Sequence, residues 1–183
     1  MVFSEKFITL KNGKTAILKS PEIGDGIKML EYIKTACGET DFLLRYPEEW
    51  EDVTVENEEK WIKNSLDSQS ELMITCYVDE EVAGNCEIRF HCGAKTSHRA
   101  SIAIAILRKY WNLGIGSAMF SELINCAKLH KGTEIVELEF IEGNDRARAL
   151  YEKFGFEVVG QRPNAFKLKD GSNVKEFFMQ KVL

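Results

Sequence analysis

The sequence predicts an α+β fold in which a mixed, mostly antiparallel sheet is flanked by helices. Three observations lead to this prediction: a hairpin signal near the N-terminus, three consecutive strand-like segments, and then helices that alternate with strands. The 183 residues suit one domain over residues 1–183, because no linker, repeat or low-complexity tract divides them.

The first part of the chain is predicted to form a hairpin followed by a helix. "KFITLKNGKTAILK" indicates two short strands around Asn12-Gly13, a favoured two-residue turn. "EIGDGIKMLEYIKTAC" has a helical period, and Gly38 is expected to end this helix. The expected apolar stripe of the helix consists of Ile27, Leu30, Ile33 and Ala36.

The middle of the chain is predicted to contain a loop, a second helix and three antiparallel strands. "GETDFLLRYPEEW" has no clear period, and "NEEKWIKNSLDS" resumes a helical pattern with Asn57 as its N-cap. "ELMITCYV", "VAGNCEIRFHC" and "RASIAIAIL" are rich in strand-forming residues. In the last of them isoleucines alternate with Ser101, Ala103 and Ala105, so we expect a central strand with space beside it.

The final third of the chain is predicted to alternate helix and strand. "IGSAMFSELINCAKLHK" and "NDRARALYEKF" have helical periods, and the strand "EIVELEFI" lies between them. Gly155 ends the second helix, and "FEVVGQ" and "VKEFFMQKVL" are closing strands separated by an Asp170-Gly171 turn. The last strand either completes its own sheet or pairs with a second copy, so a homodimer remains open.

Composition indicates which kinds of partner are disfavoured and in which compartment the protein is expected. The 29 acidic and 24 basic residues give a net charge of -5, which disfavours a nucleic-acid partner. No apolar run reaches the length of a membrane span and no signal peptide is evident, so we expect a cytoplasmic protein without membrane attachment. Five cysteines without a CxxC spacing indicate reduced thiols, and no metal site is expected, because Cys86 and Cys92 would face away from His91.

Two glycines at a strand-to-helix junction indicate an anion site. In "LRKYWNLGIGSAM", Gly114 and Gly116 would let backbone amides approach a phosphate at a helix N-terminus. A Rossmann turn is disfavoured because the third glycine is missing, and the Gly-Lys-Ser/Thr ending of a P-loop is absent. A tight turn that needs glycine for packing alone is the competing interpretation.

The two segments "LRKYWNLGIGSAM" and "NDRARALYEKFGFEVVG" together resemble the GNAT superfamily of acetyl-CoA-dependent N-acetyltransferases. The matching motifs are a Gly-x-Gly loop and an Asn-x-x-Ala-x-x-Leu-Tyr-x-Lys-x-Gly-Phe helix, and the similarity spans roughly residues 101 to 160. The predicted order of strands and helices also matches the fold of that family.

The resemblance implies a role for each matching position. The pyrophosphate of coenzyme A would be held by the backbone amides of Asn112, Leu113, Gly114, Ile115, Gly116 and Ser117. The backbone of Ile104 and Ile106 would pair with the pantetheine arm. Asn144 would bind the pantetheine side, and Tyr151 would act as general acid toward the departing thiolate. Asn144 and Tyr151, seven residues apart, share one helix face. Their structural alternatives are an N-cap and a core tyrosine.

The sequence departs from the family pattern at two positions. Trp111 stands where the family usually has Gln or Arg, and Lys109 or Arg108 is expected to substitute. Ser101 stands where many relatives have a glutamate, which leaves the general base to another residue.

A general base is needed because an alkylamine with a pKa near 10.4 is about 99.9% protonated at neutral pH. We assign this role to Glu87 on the polar face of its strand, with Glu139, Glu39 and Asp41 as alternatives. His91 and His98 flank a turn and are expected to be exposed, and Cys126 has a core setting, so we expect direct transfer in a ternary complex.

The acceptor is expected to be a primary amine of a small molecule or peptide. The acids of "GETDFLLRYPEEW", where the family builds its acceptor wall, would suit a cationic amine such as a polyamine, an aminoglycoside or a lysine-like compound. Two alternatives stay open: a non-catalytic acyl-CoA-binding or sensor module, and a protein N-terminal acetyltransferase of the ribosomal-protein type.

Overall fold

The computed structural model describes residues 1–183 and contains one eight-stranded sheet and four α-helices. The α+β fold with a mostly antiparallel sheet is therefore confirmed. The helices are α1 (Gly26–Glu39), α2 (Val55–Asp67), α3 (Ile115–Leu129) and α4 (Asp145–Lys153). The strands are β1 (Lys6–Thr9), β2 (Thr15–Lys19), β3 (Glu71–Val78), β4 (Glu81–Phe90), β5 (Arg99–Ile106), β6 (Ile135–Ile141), β7 (Glu157–Lys167) and β8 (Asn173–Val182).

The strands lie in the order β1-β2-β3-β4-β5-β6-β8-β7, and every neighbouring pair is antiparallel except β5 and β6. The central position predicted for β5 is confirmed. The last strand, β8, is paired with β6 on one side and with β7 on the other, so it completes its own sheet. Its two edges are therefore not available to a second copy.

The helices cover the two faces of the sheet. The larger core lies under α3 and α4, where Met119, Phe120 and Leu123 pack among residues of β3 to β6 such as Ile74, Ile88 and Val136. A smaller core lies under α1 and α2 and contains Met29, Tyr32, Ile62, Met73 and Tyr77. The antiparallel half of the sheet is thus covered on both faces.

Helix α1 differs from its prediction at both ends and in its buried face. It begins at Gly26 after a 3₁₀ turn at Ile23–Asp25 and runs through Gly38 to Glu39. Ile27 is 53% exposed, whereas Met29 and Tyr32 are buried. Leu30 and Ala36 of the expected stripe are buried as predicted, but Met29 and Tyr32 take the place of Ile27 in the contact with the sheet.

Two local signals were assigned to the wrong residues. The N-cap of α2 is Thr54, whose hydroxyl accepts the Asn57 N–H, while the Asn57 side chain accepts the Thr54 N–H. Asn57 is therefore the third residue of the helix in a capping box. In the first hairpin Leu10 pairs with Lys14, and only Gly13 has a positive φ, of 83°. The turn thus has three residues, with glycine in the left-handed position.

Tyr32 links α1 to the centre of the sheet. Its hydroxyl donates to the Ala105 carbonyl at 2.8 Å and accepts the Asn85 N–H at 3.1 Å, so it lies between β4 and β5. The backbone groups that the two strands leave unpaired at this point are satisfied by the phenol. This contact fixes α1 above the part of β5 that borders the candidate site.

Candidate active site

The site begins where β5 and β6 separate. Their parallel pairing covers only Arg99–Ser101 and Ile135–Glu137, after which the strands diverge around a cavity of about 1360 Å³. The Leu107 N–H donates to the Ala83 carbonyl on β4. Because successive residues of a strand direct their backbone groups to opposite sides, the N–H and C=O groups of Ile104 and Ile106 point away from β4, into the space between β5 and β6. The cavity, which we call the cleft, is therefore bordered by a strand edge that no neighbouring strand covers, although the Ile106 carbonyl on this edge accepts the Trp111 indole N–H.

The glycine turn lies at the end of this edge. Gly114 is the N-cap of α3 with a φ of 98°, and a Cβ built on it would meet nothing within 4 Å. The first helical hydrogen bond joins the Ala118 N–H to the Gly114 carbonyl. The amides of Ile115, Gly116 and Ser117 consequently have no acceptor within the helix, and together they form an anion site.

The two glycines have different physical roles. A Cβ on Gly116 would lie 3.2 Å from Ile106 Cδ1 and 3.3 Å from Leu150 Cδ2, so any larger residue here would require these two side chains to move by a few tenths of an ångström. Gly114 borders open space in the cleft, where packing does not require a glycine. Leu113, which was expected in the same set, does not line the cleft, because it faces the β1–β2 hairpin and its carbonyl accepts the Lys11 N–H at 3.0 Å.

The positive charge beside the glycine turn comes from α4. Arg146 Nη1 donates to Asn112 Oδ1 at 2.8 Å, and its guanidinium lies 4.4 Å from the ring centroid of Trp111. Lys153 Nζ donates to Ser117 Oγ at 3.1 Å. Trp111 itself donates its indole N–H to the Ile106 carbonyl at 2.7 Å. Arg146 and Lys153 therefore flank the anion site.

The expected substitutes for the missing donor, Arg108 and Lys109, point elsewhere. Arg108 binds Glu39 through its backbone and side chain, and the Lys109 ammonium pairs with Glu81. Neither residue lines the cleft, so this prediction is wrong. Sequence reasoning missed Arg146 because its approach to Trp111 depends on how α4 packs beside the glycine turn.

Asn144 and Tyr151 both line the cleft, at the start and in the second turn of α4. The Asn144 side-chain oxygen caps the helix by accepting the Ala147 N–H at 3.2 Å, which leaves its NH₂ group to donate elsewhere. Tyr151 is buried, and its ring stacks on Phe120 with a centroid distance of 5.3 Å. Burial alone raises the pKa of Tyr151 to about 12. The phenol therefore keeps its proton at neutral pH.

Among the carboxylates expected to act as base, Glu87 is half-buried in the cleft. Burial raises the pKa of Glu87, the charge of Glu71 raises it further, and Arg89 opposes both. Glu139 also lines the cleft and is largely exposed, and its pKa is raised by partial desolvation and by the charge of Glu176. Glu39 accepts the Arg108 N–H at 2.6 Å, and Asp41 does not line the cleft.

A hydrogen-bonded cluster at the closed end of the cleft was not predicted. Glu137 on β6 accepts from Arg99 at 3.1 Å, from Gln180 at 3.2 Å and from the Ser101 hydroxyl at 3.5 Å. His91, expected to be exposed, is partly buried, and its Nε2 lies 2.8 Å from Ser101 Oγ. A carboxylate thus stands beside Ser101, although it comes from the neighbouring strand.

The α1–α2 loop, residues 40–54, extends across the cleft. A Cβ on Gly143 would touch the Phe42 ring at 3.7 Å, which places this loop against the β6–α4 turn. Near its 3₁₀ turn at Pro47–Trp50, the loop is also held by Lys169, whose N–H donates to the Tyr46 hydroxyl at 3.2 Å and whose ammonium binds Glu48 at 2.8 Å. The loop therefore contacts both the β6–α4 turn and the segment around Lys169, which lies between β7 and β8.

Two further properties of the structure concern metals and membranes. The chain has no group of three or more His, Cys, Asp or Glu side chains placed to hold a metal ion, and all five cysteines have free thiols. None of the helices combines the length and the apolar character that crossing a bilayer requires.

Comparison with known proteins agrees with this geometry. The model of the acetyltransferase (GNAT) family matches residues 39–156. An L-amino acid N-acetyltransferase, AaaT of Escherichia coli strain K12, is 25% identical over 122 residues, which cover 67% of this chain and 75% of that protein.

Solved structures share the fold. A GNAT-family acetyltransferase from Streptococcus pneumoniae superposes with a TM-score of 0.84 at 22% identity, covering 92% of this chain and 99% of that one. The yncA structure from Salmonella typhimurium, which contains acetyl-CoA as its cofactor, has a TM-score of 0.76 at 18% identity and covers 92% and 94%. Since the family match covers well over half of the chain, including the glycine turn and all of α4, the protein belongs to the GNAT acetyltransferase family and is an acyltransferase.

Proposed function

We propose that the protein transfers the acetyl group of acetyl-CoA to a primary amine of a small molecule in a ternary complex. The observation that carries this proposal is the cleft between β5 and β6. Its walls combine the unpaired edge of β5, the free amides at the start of α3, and the Tyr151 side chain. An extended thioester with a diphosphate at one end matches these three features in that order.

The residues present fit the parts of acetyl-CoA. The diphosphate would accept hydrogen bonds from the amides of Ile115, Gly116 and Ser117, with Arg146 and Lys153 adding positive charge. The amide groups of the pantetheine arm would pair with the backbone of Ile104 and with the N–H of Ile106, as an added strand does at a sheet edge, while the Ile106 carbonyl also accepts the Trp111 indole N–H. The Asn144 NH₂ group would donate to the same arm.

The reaction assigns opposite proton transfers to Glu87 and Tyr151. Acetyl-CoA supplies an activated acetyl thioester. Glu87, directly or through a water, takes a proton from the acceptor ammonium, and the neutral amine nitrogen forms a bond to the carbonyl carbon. The carbon–sulfur bond breaks, and the Tyr151 hydroxyl donates its proton to the departing sulfur. The nitrogen, which at this point carries one proton more than the amide product, releases that proton and so restores the phenol. A raised pKa of Glu87 brings this carboxylate closer to neutral pH, where a base is most effective.

The size of the acceptor follows from the α1–α2 loop. Because the loop is held to Lys169 and contacts the β6–α4 turn at Gly143, it partly covers the acceptor side of the cleft. A protein N-terminus needs an open groove to reach the thioester, whereas a small amine fits beneath a cover. This contact supports a small acceptor over a protein substrate.

A titration with acetyl-CoA of matched glycine variants tests the proposal. Gly114 and Gly132 have φ values of 98° and 88°, and a Cβ on either would meet nothing within 4 Å. Alanine should therefore cost each site a similar backbone strain of about 1–2 kcal/mol. We expect Gly114→Ala to weaken acetyl-CoA binding about tenfold or more, because it disturbs the amides that hold the diphosphate, and Gly132→Ala to leave the binding constant unchanged.

Release of free coenzyme A thiol with a panel of primary amines completes this test. Binding of acetyl-CoA followed by amine-dependent thiol release is the expected result. An equal loss of affinity in both glycine variants, or no binding heat with the wild type, would contradict the proposal. Binding without thiol release from any amine would favour an acyl-CoA sensor.

A further inference from the structure

A second cavity of about 480 Å³ lies between α1, α2 and the sheet. It shares Glu87, Ala103 and Ile104 with the cleft, so the two spaces meet beside the proposed position of the thioester. Its volume falls within the range of small-ligand pockets. An acceptor that lies in this cavity would present its amine toward Glu87.

The walls of this acceptor cavity are largely apolar. Its helix and loop side is formed by aliphatic and aromatic side chains, namely Met29, Tyr32, Ile33, Leu43, Trp50 and Trp61. Apolar walls favour a ligand with a hydrocarbon body, because its burial removes apolar surface from water. The few charged groups in the cavity then determine which ends the ligand carries.

Glu58 is a largely buried residue in the wall of the acceptor cavity that α2 forms. The residue is 6% exposed and lines the cavity from α2. Its side chain forms no hydrogen bond, and no cation lies within 4 Å of it. The neighbouring cation, Arg45, has its guanidinium over the Trp50 ring, 4.9 Å from the centroid. Its oxygens keep some contact with solvent, since the Trp50 indole nitrogen is the one fully buried side-chain polar atom without a hydrogen-bond partner. A cationic ligand group that replaces this solvent would form a charged hydrogen bond with Glu58.

The balance of charge in the cavity points the same way. Glu58 on the α2 wall and Glu87 on the sheet wall face a single positive side chain, Arg45. A ligand that spans the cavity would contact Glu58 with a terminal group and Glu87 with the amine that reacts. Burial raises the pKa of Glu58 in the absence of a ligand, with Arg45 opposing, as expected of a carboxylate that lacks a partner.

We propose that the acceptor is an amine with an apolar spacer and a second cationic group, and that Glu58 selects it by pairing with that second cation. This inference rests on the proposed function. Glu58 would bind the non-reacting end and Glu87 would serve the reacting amine, so a diamine of suitable length is the simplest compound that satisfies both carboxylates.

The test compares binding of 1,5-diaminopentane and 1-aminopentane by calorimetry with the full chain in the presence of coenzyme A. Wild-type protein should bind the diamine about 10- to 100-fold more tightly, the effect of one charged hydrogen bond to a buried group. Glu58→Gln should abolish this preference. Glu59→Gln, which removes a charge from the next residue on α2 outside the cavity lining, should retain it.

Equal affinity of the wild type for the two amines would overturn the inference, and so would a preference that persists in Glu58→Gln. The wild-type comparison gives this answer even where a variant is unstable. Failure of the proposed function is distinguishable, since it would appear as absent acetyl-CoA binding, whereas amine preference is measured without an acetyl group.

Discussion

Tyr151→Phe is expected to lower kcat about 10²- to 10⁴-fold, the usual contribution of a general acid, with acetyl-CoA affinity nearly unchanged. The substitution removes only the hydroxyl of a residue that lines the cleft, and burial raises the pKa of this hydroxyl to about 12. The ring keeps its stacking on Phe120, so helix α4 should stay in place. Single-turnover measurements with saturating acetyl-CoA separate the chemical step from binding.

Tyr77→Phe provides the matched control for this prediction. The Tyr77 hydroxyl donates to Asp25 Oδ2 at 2.6 Å and lines neither the cleft nor the acceptor cavity. Its loss should lower the free energy of unfolding by about 1–3 kcal/mol and leave kcat unchanged. If Tyr151→Phe instead behaves like this control, losing stability but not turnover, Tyr151 is a core residue only.

Glu87→Gln is expected to lower kcat/KM about 10²-fold or more at neutral pH and to change its pH dependence. Glu87 accepts a proton only when ionised, and burial raises its pKa above the usual range of a glutamate. In the wild type kcat/KM, corrected for the free-amine fraction of the acceptor, should therefore fall as the pH drops through that raised pKa. The variant should lack this decline.

Two other carboxylates in the cleft serve as comparisons. Glu139→Gln changes an exposed position on β6 and should keep the wild-type profile. Glu137→Gln removes the carboxylate beside Ser101. If the fall of kcat/KM at low pH persists in Glu87→Gln and disappears in Glu137→Gln, our assignment is contradicted and Glu137 is the base.

Local spacing explains the parts of the fold and site that were predictable. The alternation of isoleucine with small residues in β5 indicated a central strand, and Gly114 followed by a helical pattern indicated free amides. Asn144 and Tyr151 are seven residues apart, which is about two turns of a helix. They therefore share a helix face however the helix packs, and their common orientation followed from the sequence separation alone. These features depend on residues near each other in the chain.

The remaining site residues depend on contacts that the sequence does not encode locally. Glu137 stands beside Ser101 only because β5 and β6 pair in parallel across a long crossover. Arg146 reaches Trp111 through the packing of α4. Nothing in the sequence distinguishes Glu58 from the other acids of α2, and only the packing of α2 makes it largely buried.

The central claim is that the amides exposed by the Gly114 turn hold the diphosphate while the thioester lies against Tyr151. A crystal structure of the complex with acetyl-CoA tests it most directly. The account predicts diphosphate oxygens about 3 Å from the amide nitrogens of Ile115, Gly116 and Ser117, and the sulfur beside the Tyr151 hydroxyl. A diphosphate bound away from the start of α3, or a sulfur that the phenol does not reach, would contradict it.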